Sequence, residues 1–506
     1  MKIATYTYQD LEALGDDERK RIDWIHDAIL AHKDSDLYKT AVIADEYDRQ
    51  QNRKIKHFEK YIKDAIGQTI KDDWSPNFKM PSNFYNKLTE QRNMYLLRNG
   101  VNWSGRTITV DDGYPGAVRR WVWDDTDSDR PTGHYEWQVT IDVGTADRLG
   151  KSFDSELRKG GKMAIDGAVS FGFWNADHIE FFRVGDSVGN PAFVPIWDRF
   201  NGNELRAGIR FWYIRSSTNQ DTLYATLYEA DGVTQYVWES GNGEVLTEKA
   251  AYIKRFTENK VEGRNNVQMS NHKRLPIIPL WANQQHMSAI ERLQDYIDQY
   301  DITLNGIAND LSDEIIFWVL SGAAGFDEAS RSQFVEKIRK HHAADVPPDS
   351  QVQPVPVNPP IDGKSALLAR LEHDIYKAYS ALNIDEVKAG AVTATQIRAA
   401  YEDLDLAVDE YEYCVLDFLD QLLDLLGIED TPTFTRSPLV NVNEQIQTLL
   451  QAAQYLGDDY VTKKTLELFG DGDKFEAVQN AKQAEQMSRL QIAPADEDEE
   501  SEEEIE

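Results

Sequence analysis

Apolar positions change period four times along the chain, and each change marks a boundary. From residue 9 to 99 they recur at helical spacing through DLEALGDDERKRIDWIHDAILAHK, IADEYDRQQNRKIKHFEKYIKDAI and SNFYNKLTEQRNMYLLRNG. Ser82 or Asn83 can cap the third helix, and Gly100 stops it. From 101 to about 256 the period falls to two, in HYEWQVTIDV, HIEFFRV, GIRFWYIR, TLYATLYEA and TQYVWES, separated by Gly, Asn and Asp turns. This predicts a largely antiparallel β region with Trp and Tyr on half-buried faces, and Asp231-Gly232 carries a hairpin-turn signal.

After the Pro-punctuated NHKRLPIIPLWAN (271–283) the helical period returns. Ile290, Leu293, Ile297, Tyr300, Leu304, Ile307 and Leu311 form a heptad seam suited to another helix or a neighbouring subunit. Residues 312–361 are short and mixed: a β-like EIIFWVLSG, a short helix EASRSQFVEKIRKHHA, and the extended VPPDSQVQPVPVNPP, through which no helix passes. Leu367, Leu371, Ile375 and Tyr379 predict a second helix. A small-residue stretch, Lys388-Ala389-Gly390-Ala391-Val392-Thr393, then leads into a long helix. Thr393 and Gln396 sit at capping-box spacing, and Ile397, Tyr401, Leu404, Val408, Tyr411, Val415, Phe418, Leu422 and Leu425 continue to Gly427. At 1.5 Å per residue this helix is roughly 48 Å long. Residues 442–490 read as two or three amphipathic helices. The reading is α+β, with two to four domains expected from the length.

Composition narrows the function. The net charge is −33, and nine acids crowd the last twelve residues, ADEDEESEEEIE, a like-charge block expected to be disordered. The body is acidic without them, which argues against tight wrapping of nucleic acid, since phosphate binding is driven by Lys and Arg. It leaves room for a protein that DNA slides past. No run of eighteen apolar residues suggests a membrane span, and the N-terminus lacks a signal core, so a cytoplasmic site of synthesis and assembly is expected. The single cysteine, Cys414, falls in an apolar helix pattern and reads as packing.

Candidate chemistry is thin. Asp177, His178 and Glu180 in NADHIEFFR, with Asp198 in PIWDRF, are acids beside Trp and could form a glycosidase pair, making a carbohydrate-active enzyme the alternative reading. Asp177 and Asp198 would then be essential. There is no Walker loop, no His-Glu-x-x-His motif and no Gly-x-Ser-x-Gly elbow. His341-His342 lie in the basic KIRKHHA and read as a solvated patch. No cofactor or metal is expected, and the chain reads as non-enzymatic. A capsid or scaffold-type assembly protein is a further reading.

Taken in order, NFYNKLTEQRNMYLLRNGVNW (83–103), GAVSFGFWNADHIEFFR (167–183), LYATLYEADGVTQY (223–236) and above all HKRLPIIPLWANQQHMSAIERLQDYIDQYDITLNGIANDLSD (272–313) resemble the portal proteins of tailed bacteriophages, of the siphophage type of about five hundred residues. The resemblance covers roughly residues 20–490. It implies a wing at 1–285, a first stem helix at 286–311, a clip at 312–361, a second stem helix at 362–381, a tunnel loop at 382–394, a long wing helix at 395–427, a crown at 428–490 and an acidic tail at 491–506. It also implies a ring-shaped homo-oligomer, typically of twelve, at one capsid vertex.

The partners so implied are double-stranded DNA passing through the ring, the terminase large subunit, a head-completion adaptor, and capsid and scaffolding proteins, with no membrane. Lys388 to Thr393 would then crowd the DNA, with Gly390 as a hinge, although a plain hinge between helices accounts for the same residues. Lys364, Arg370 and Lys377 would face the channel or equally lie solvated on the outer face. Lys337, Arg339 and Lys340 would meet DNA or terminase, and SQVQPVPV would pair with a neighbouring subunit.

Overall fold

The computed structural model describes residues 6–383 apart from 16, 64–67, 74, 112–114, 116, 124–132, 188–189, 202–203, 216–219, 260–263, 313–315, 322–332, 335–336, 338–350 and 357–360; it continues over 394–436, 457–469 and six isolated positions beyond 448. Two compact units emerge: residues 1–390 with 400–437, and residues 391–399 with 438–506. The helix Asp458–Phe469 belongs to the second.

The first unit is built on an eight-stranded sheet. Its strands run in the order Asn242–Ala250, Gly232–Glu239, Asp221–Glu229, Leu205–Arg215, Ala192–Trp197, His178–Arg183, Val169–Asn175 and Ile277–Trp281. All neighbours are antiparallel except His178–Arg183 beside Ala192–Trp197. The hairpin turn falls on Ala230-Asp231, one residue earlier than its Asp-Gly signal predicts. Gly232 instead opens the next strand at φ 147, where a Cβ would meet the Ala250 carbonyl oxygen at 2.6 Å.

Both faces of the sheet are covered. On one, Ile22, Ile25 and Ile29 of the helix Glu18–Asp34 pack on Val194, Ile209, Phe211 and Trp238. The other face carries the aromatic cluster of Phe171, Phe173, Phe182, Phe193, Trp197 and Tyr228. The helix Phe153–Gly167 and the long helix Ala394–Leu426 share the first face with Glu18–Asp34, over Gly172 and Phe181. Gly172 makes the second contact, since a Cβ there would stand 2.7 Å from the Phe418 ring. This explains why Val169–Trp174 is buried at every position instead of alternating. The long helix ends as the periodicity predicts: Gly427 at φ 63, with its N–H on Asp424 and that of Ile428 on Leu423, a Schellman motif.

One sequence expectation fails nearby. The predicted helix through IADEYDRQQNRKIKHFEKYIKDAI breaks at Gln50 (φ 55), and Tyr61–Lys63 pairs with Thr69–Lys71 as a hairpin. Polar GlnGlnAsn punctuation outweighs the helical spacing there. Within SQVQPVPV, which the portal resemblance would pair with a neighbouring subunit, Gln351–Pro356 also pairs inside the chain, against Ile316–Ser321. Each of these strands has one edge outside that two-stranded sheet.

The heptad seam changes character halfway along the helix Ile290–Ser312. Ile290, Leu293 and Ile297 are buried, but Leu311 is 62% exposed and the buried positions become Asp301, Asn305 and Asn309. Extended residues 78–82 run antiparallel to this face. Phe78 N–H donates to Asn309 Oδ1 (2.8 Å), Met80 N–H to Asn305 Oδ1 (2.8 Å) and Ser82 N–H to Asp301 Oδ1 (2.9 Å), while Asn305 Nδ2 donates to the Met80 carbonyl (2.8 Å). The repeats match: four helical residues rise about 6.0 Å, and two extended residues advance about 6.6 Å. Asn52 closes the row, donating from Nδ2 to Asp301 Oδ2 at 2.6 Å. Burial raises the Asp301 pKa, opposed by these donors.

A second buried polar group ties helices together. Lys162 Nζ lies 2.6 Å from Asp48 and 2.8 Å from Asp166, whose carboxylate also accepts from the Tyr85 hydroxyl at 3.0 Å. Burial pushes Lys162 down, but the two carboxylates outweigh it and its pKa is raised; burial holds Asp166 above the usual carboxylate range.

Two predictions follow the packing. Asn305→Ala removes the partners of both backbone groups of Met80 and should cost about 1–3 kcal/mol in denaturant unfolding, whereas Leu311→Ala at its exposed site should stay within about 0.5 kcal/mol; equal effects would contradict the ladder. His32 is buried with Nε2 donating to the Val184 carbonyl at 3.0 Å, and burial pushes its pKa down to about 4. In the unfolded chain it titrates near 6.5, so its neutral form stabilises the fold fully above about pH 6.5, and that contribution drains away as pH falls towards 4. Relative to His32→Gln, the wild-type protein should lose about 3 kcal/mol across that window. A difference that stays flat with pH would exclude it.

Candidate functional site

Residues 384–393, between the helices Ile361–Ala378 and Ala394–Leu426, are outside the described residues, and with them Lys388, Ala389, Gly390, Ala391, Val392, Thr393 and the Thr393 cap. Their upstream anchor is well defined. The helix Ile361–Ala378 closes in a Schellman motif with Ser380 at φ 52: its N–H reaches the Lys377 carbonyl and that of Ala381 reaches Tyr376 at 2.9 Å. Gln91, on the helix Phe84–Leu97, then pairs with Leu382 as a strand would, its Nε2 donating to the Leu382 carbonyl and its Oε1 accepting the Leu382 N–H, both at 3.0 Å. Arg92 donates to the Tyr379 carbonyl and lies over that ring at 3.7 Å. Sequence reasoning missed Gln91 and Arg92, because nothing in a solvent-like Gln-Arg pair says what it will reach.

The helices Ile290–Ser312 and Ile361–Ala378 form an antiparallel pair. Lys364, in the first turn of the second, is ion-paired to Asp310 near the end of the first. Twelve residues on, Tyr376 lies edge-on to Phe84, which also meets Tyr300 at 4.9 Å. Arg370 is paired to Asp374 on its own helix at 2.9 Å. Lys377 is exposed in the last turn, roughly 20 Å along the axis from Lys364. The three cations predicted as one set are thus not brought together, and two have carboxylate partners. Lys337 is exposed, while Arg339 and Lys340 are outside the described residues.

The enzymatic candidates do not converge either. His178 lies between Asp177 (Nδ1 to Oδ1, 2.8 Å) and Glu180 (Nε2 to Oε1, 3.3 Å), and its hydrogen bond to Asp177 raises its pKa. Asp198 accepts from Gln9 Nε2 (3.0 Å) and from the N–H groups of Phe200 (2.8 Å) and Asn201 (3.0 Å), which hold its carboxyl low, as a turn does. The strands His178–Arg183 and Ala192–Trp197 overlap only at Arg183 opposite Ala192. Glu180 and Asp198 therefore stand nine residues apart along parallel strands, about 30 Å, where a glycosidase pair needs about 5–9.5 Å. Among the described residues no group of three His, Cys, Asp or Glu side chains is placed to hold a metal, and no helix is long and apolar enough to cross a membrane.

What the comparisons match is therefore an architecture. The portal protein of Bacillus phage SPP1 is 22% identical over 409 residues, 71% of this chain and 75% of that protein. The portal protein of Clostridium phage phiCD119 is 22% identical over 319 residues, 58% of this chain and 67% of its own. A chain in the neck of an empty GTA particle is 12% identical over 62% of this chain and 76% of that one, at a TM-score of 0.31, a likeness too slight to carry an argument. The family model described as phage portal protein, SPP1 Gp6-like, matches residues 16–488. With the match running through all but its two ends, the chain belongs to the SPP1 Gp6-like family of phage portal proteins.

Proposed function

We propose that copies of this chain close into a ring, typically of twelve, at one capsid vertex, and that double-stranded DNA enters through it in packaging and leaves through it in ejection. The observation that carries this reading is family membership from residue 16 to 488, taken with an antiparallel helix pair whose connecting segment holds a small β-ladder. In this reading the helices Ile290–Ser312 and Ile361–Ala378 are the stem. The clip at 312–361 meets the terminase large subunit and head-completion adaptor, with Lys337, Arg339 and Lys340 as contacts. The loop at 382–394 faces DNA, its upstream end held by Gln91 and Arg92. Capsid and scaffolding proteins surround the ring in a virion component assembled in the host cytoplasm, and the protein carries out no catalysis.

The acidic balance fits a conduit. A wall of like charge repels phosphates over about 8 Å at physiological salt, so DNA passes without adhering. Local cations then matter singly. Lys364 is neutralised by Asp310, so we assign it to holding the stem pair and assign Lys377 to the channel.

Native mass spectrometry and negative-stain averages of the purified 57.8 kDa protein should give a closed ring of about twelve copies with a central hole; closed shells, or a lone dimer with hydrolase activity, would sink the reading. Lys364→Ala should lower the thermal stability of the ring slightly, by less than about 1 kcal/mol per subunit, and leave DNA packaging intact. Lys377→Ala should do the reverse. If both variants alter packaging alike, the separation of roles is wrong.

A further inference from the structure

The three-stranded sheet of Arg106–Val110, Gly133–Ile141 and Val118–Trp123, in that spatial order, has two unlike faces. Its register sets Trp121 opposite Tyr135, Arg119 opposite Trp137, Ile108 opposite Val139 and Arg106 opposite Ile141. Alternation therefore gathers these aromatic, aliphatic and arginine side chains on one side. Thr107, Thr109, Glu136, Gln138 and Thr140 hydrogen-bond among themselves on the other, beside Val118, Arg120, Val122 and His134. A sheet with one apolar face ordinarily buries it. Here Tyr135 is 55% exposed and Trp121 44%. The rings are already ordered, Trp121 edge-on to Tyr135 at 4.8 Å and Arg119 over Tyr135 at 4.2 Å. Ordered Trp, Tyr and Arg on an exposed face are what the centres of protein interfaces are made of.

The complementary surface lies on the long helix. Glu402, Leu406, Asp409, Tyr413, Asp417 and Asp420 form an exposed stripe at helical spacing, with Leu406 and Tyr413 each 63% exposed. From Ala399 to Leu426 the helix has no Lys or Arg. Arg436 engages Asp409 from within the chain, leaving acids on either side of it. Leu406 and Tyr413 are about 10.5 Å apart along the axis, close to the ~9.6 Å between the outer strands of a three-stranded sheet. Within one chain the sheet is tied past the end of this helix, by Gly105 N–H on Asp430 (2.7 Å) and Arg106 on Glu429 (2.9 Å). Copies as acidic as these repel one another, so a contact between them needs opposite charge locally.

We propose that the aromatic, arginine-bearing face of this sheet seats on the acidic outer stripe of the long helix of a neighbouring copy, forming a contact between adjacent subunits. The contact rests on the ring reading. A photo-crosslinking p-benzoylphenylalanine replacing Tyr135 in the assembled full-length protein should give inter-subunit adducts mapping to residues 400–426. Adducts to any other part of the chain, to capsid protein or to DNA would overturn the contact. In native mass spectrometry at fixed concentration, Trp121→Ala with Arg119→Glu should lower the ring fraction about tenfold; an unchanged ring fraction would also overturn it. Arg119→Glu alone should be rescued by Asp417→Arg with Asp420→Arg in the same chain, a recovery that simple misfolding cannot produce. Wild-type protein that forms no ring under any condition defeats the ring reading and the contact with it; wild-type rings indifferent to these changes defeat the contact only.

Discussion

A buried backbone must find partners for every N–H and C=O, and an extended segment packed against a helix cannot find them in either element's own ladder. Asp301, Asn305 and Asn309 solve this for residues 78–82, one side chain per helical turn against one N–H per two extended residues. The helix Ile290–Ser312 is thereby fastened to the chain that leads into Phe84–Leu97, and Asn52 draws in the preceding turn. Deleting any of the three removes the partner of a part-buried backbone N–H, a loss of about 0.5–1.5 kcal/mol for each hydrogen bond.

From that joint the connections run outward through polar contacts. Tyr85 reaches Asp166 and Lys162 on the helix Phe153–Gly167. Ser288, just before Ile290, donates to the Asp166 carbonyl. Gln91 and Arg92, two turns further along the same helix as Tyr85, hold the end of Ile361–Ala378. One helix, Phe84–Leu97, therefore contacts both members of the antiparallel pair and the start of the segment between that pair and the long helix. Tyr95 extends the series to Asp405 on the long helix at 2.7 Å. Side-chain hydrogen bonds hold helices at fixed register in a way that apolar ridges, which tolerate repacking, do not.

The long helix shows the other strategy. Its inner seam is largely apolar, with the Tyr411 hydroxyl donating to Asn93 Oδ1 at 2.9 Å, and it meets the sheet where Gly172 leaves space for Phe418. Its outer side is acidic, and Arg436 bridges Asp405, Asp409 and Glu412 there, relieving repulsion at one point of the row. Asp424 is paired with Arg274 at 3.2 Å and Glu410 accepts from the Gln284 N–H, while Glu402, Asp417 and Asp420 stay exposed.

Periodicity was enough to locate the two helices of the antiparallel pair, the long helix with its Gly427 stop and the β region, because each is a local property repeated over many residues. The portal resemblance was legible too, and densest in IDQYD…NGIANDL, the stretch that carries the Asp301, Asn305 and Asn309 row. What that row does was not legible. A heptad seam and a polar ladder share the same spacing, and only the presence of an extended partner makes Asn305 buried and Leu311 exposed. The break at Gln50, the pairing of Gln351–Pro356 with Ile316–Ser321 and the neutralisation of Lys364 by Asp310 belong to the same class. Each depends on which residue distant in sequence arrives beside it, and spacing along the chain carries no record of that.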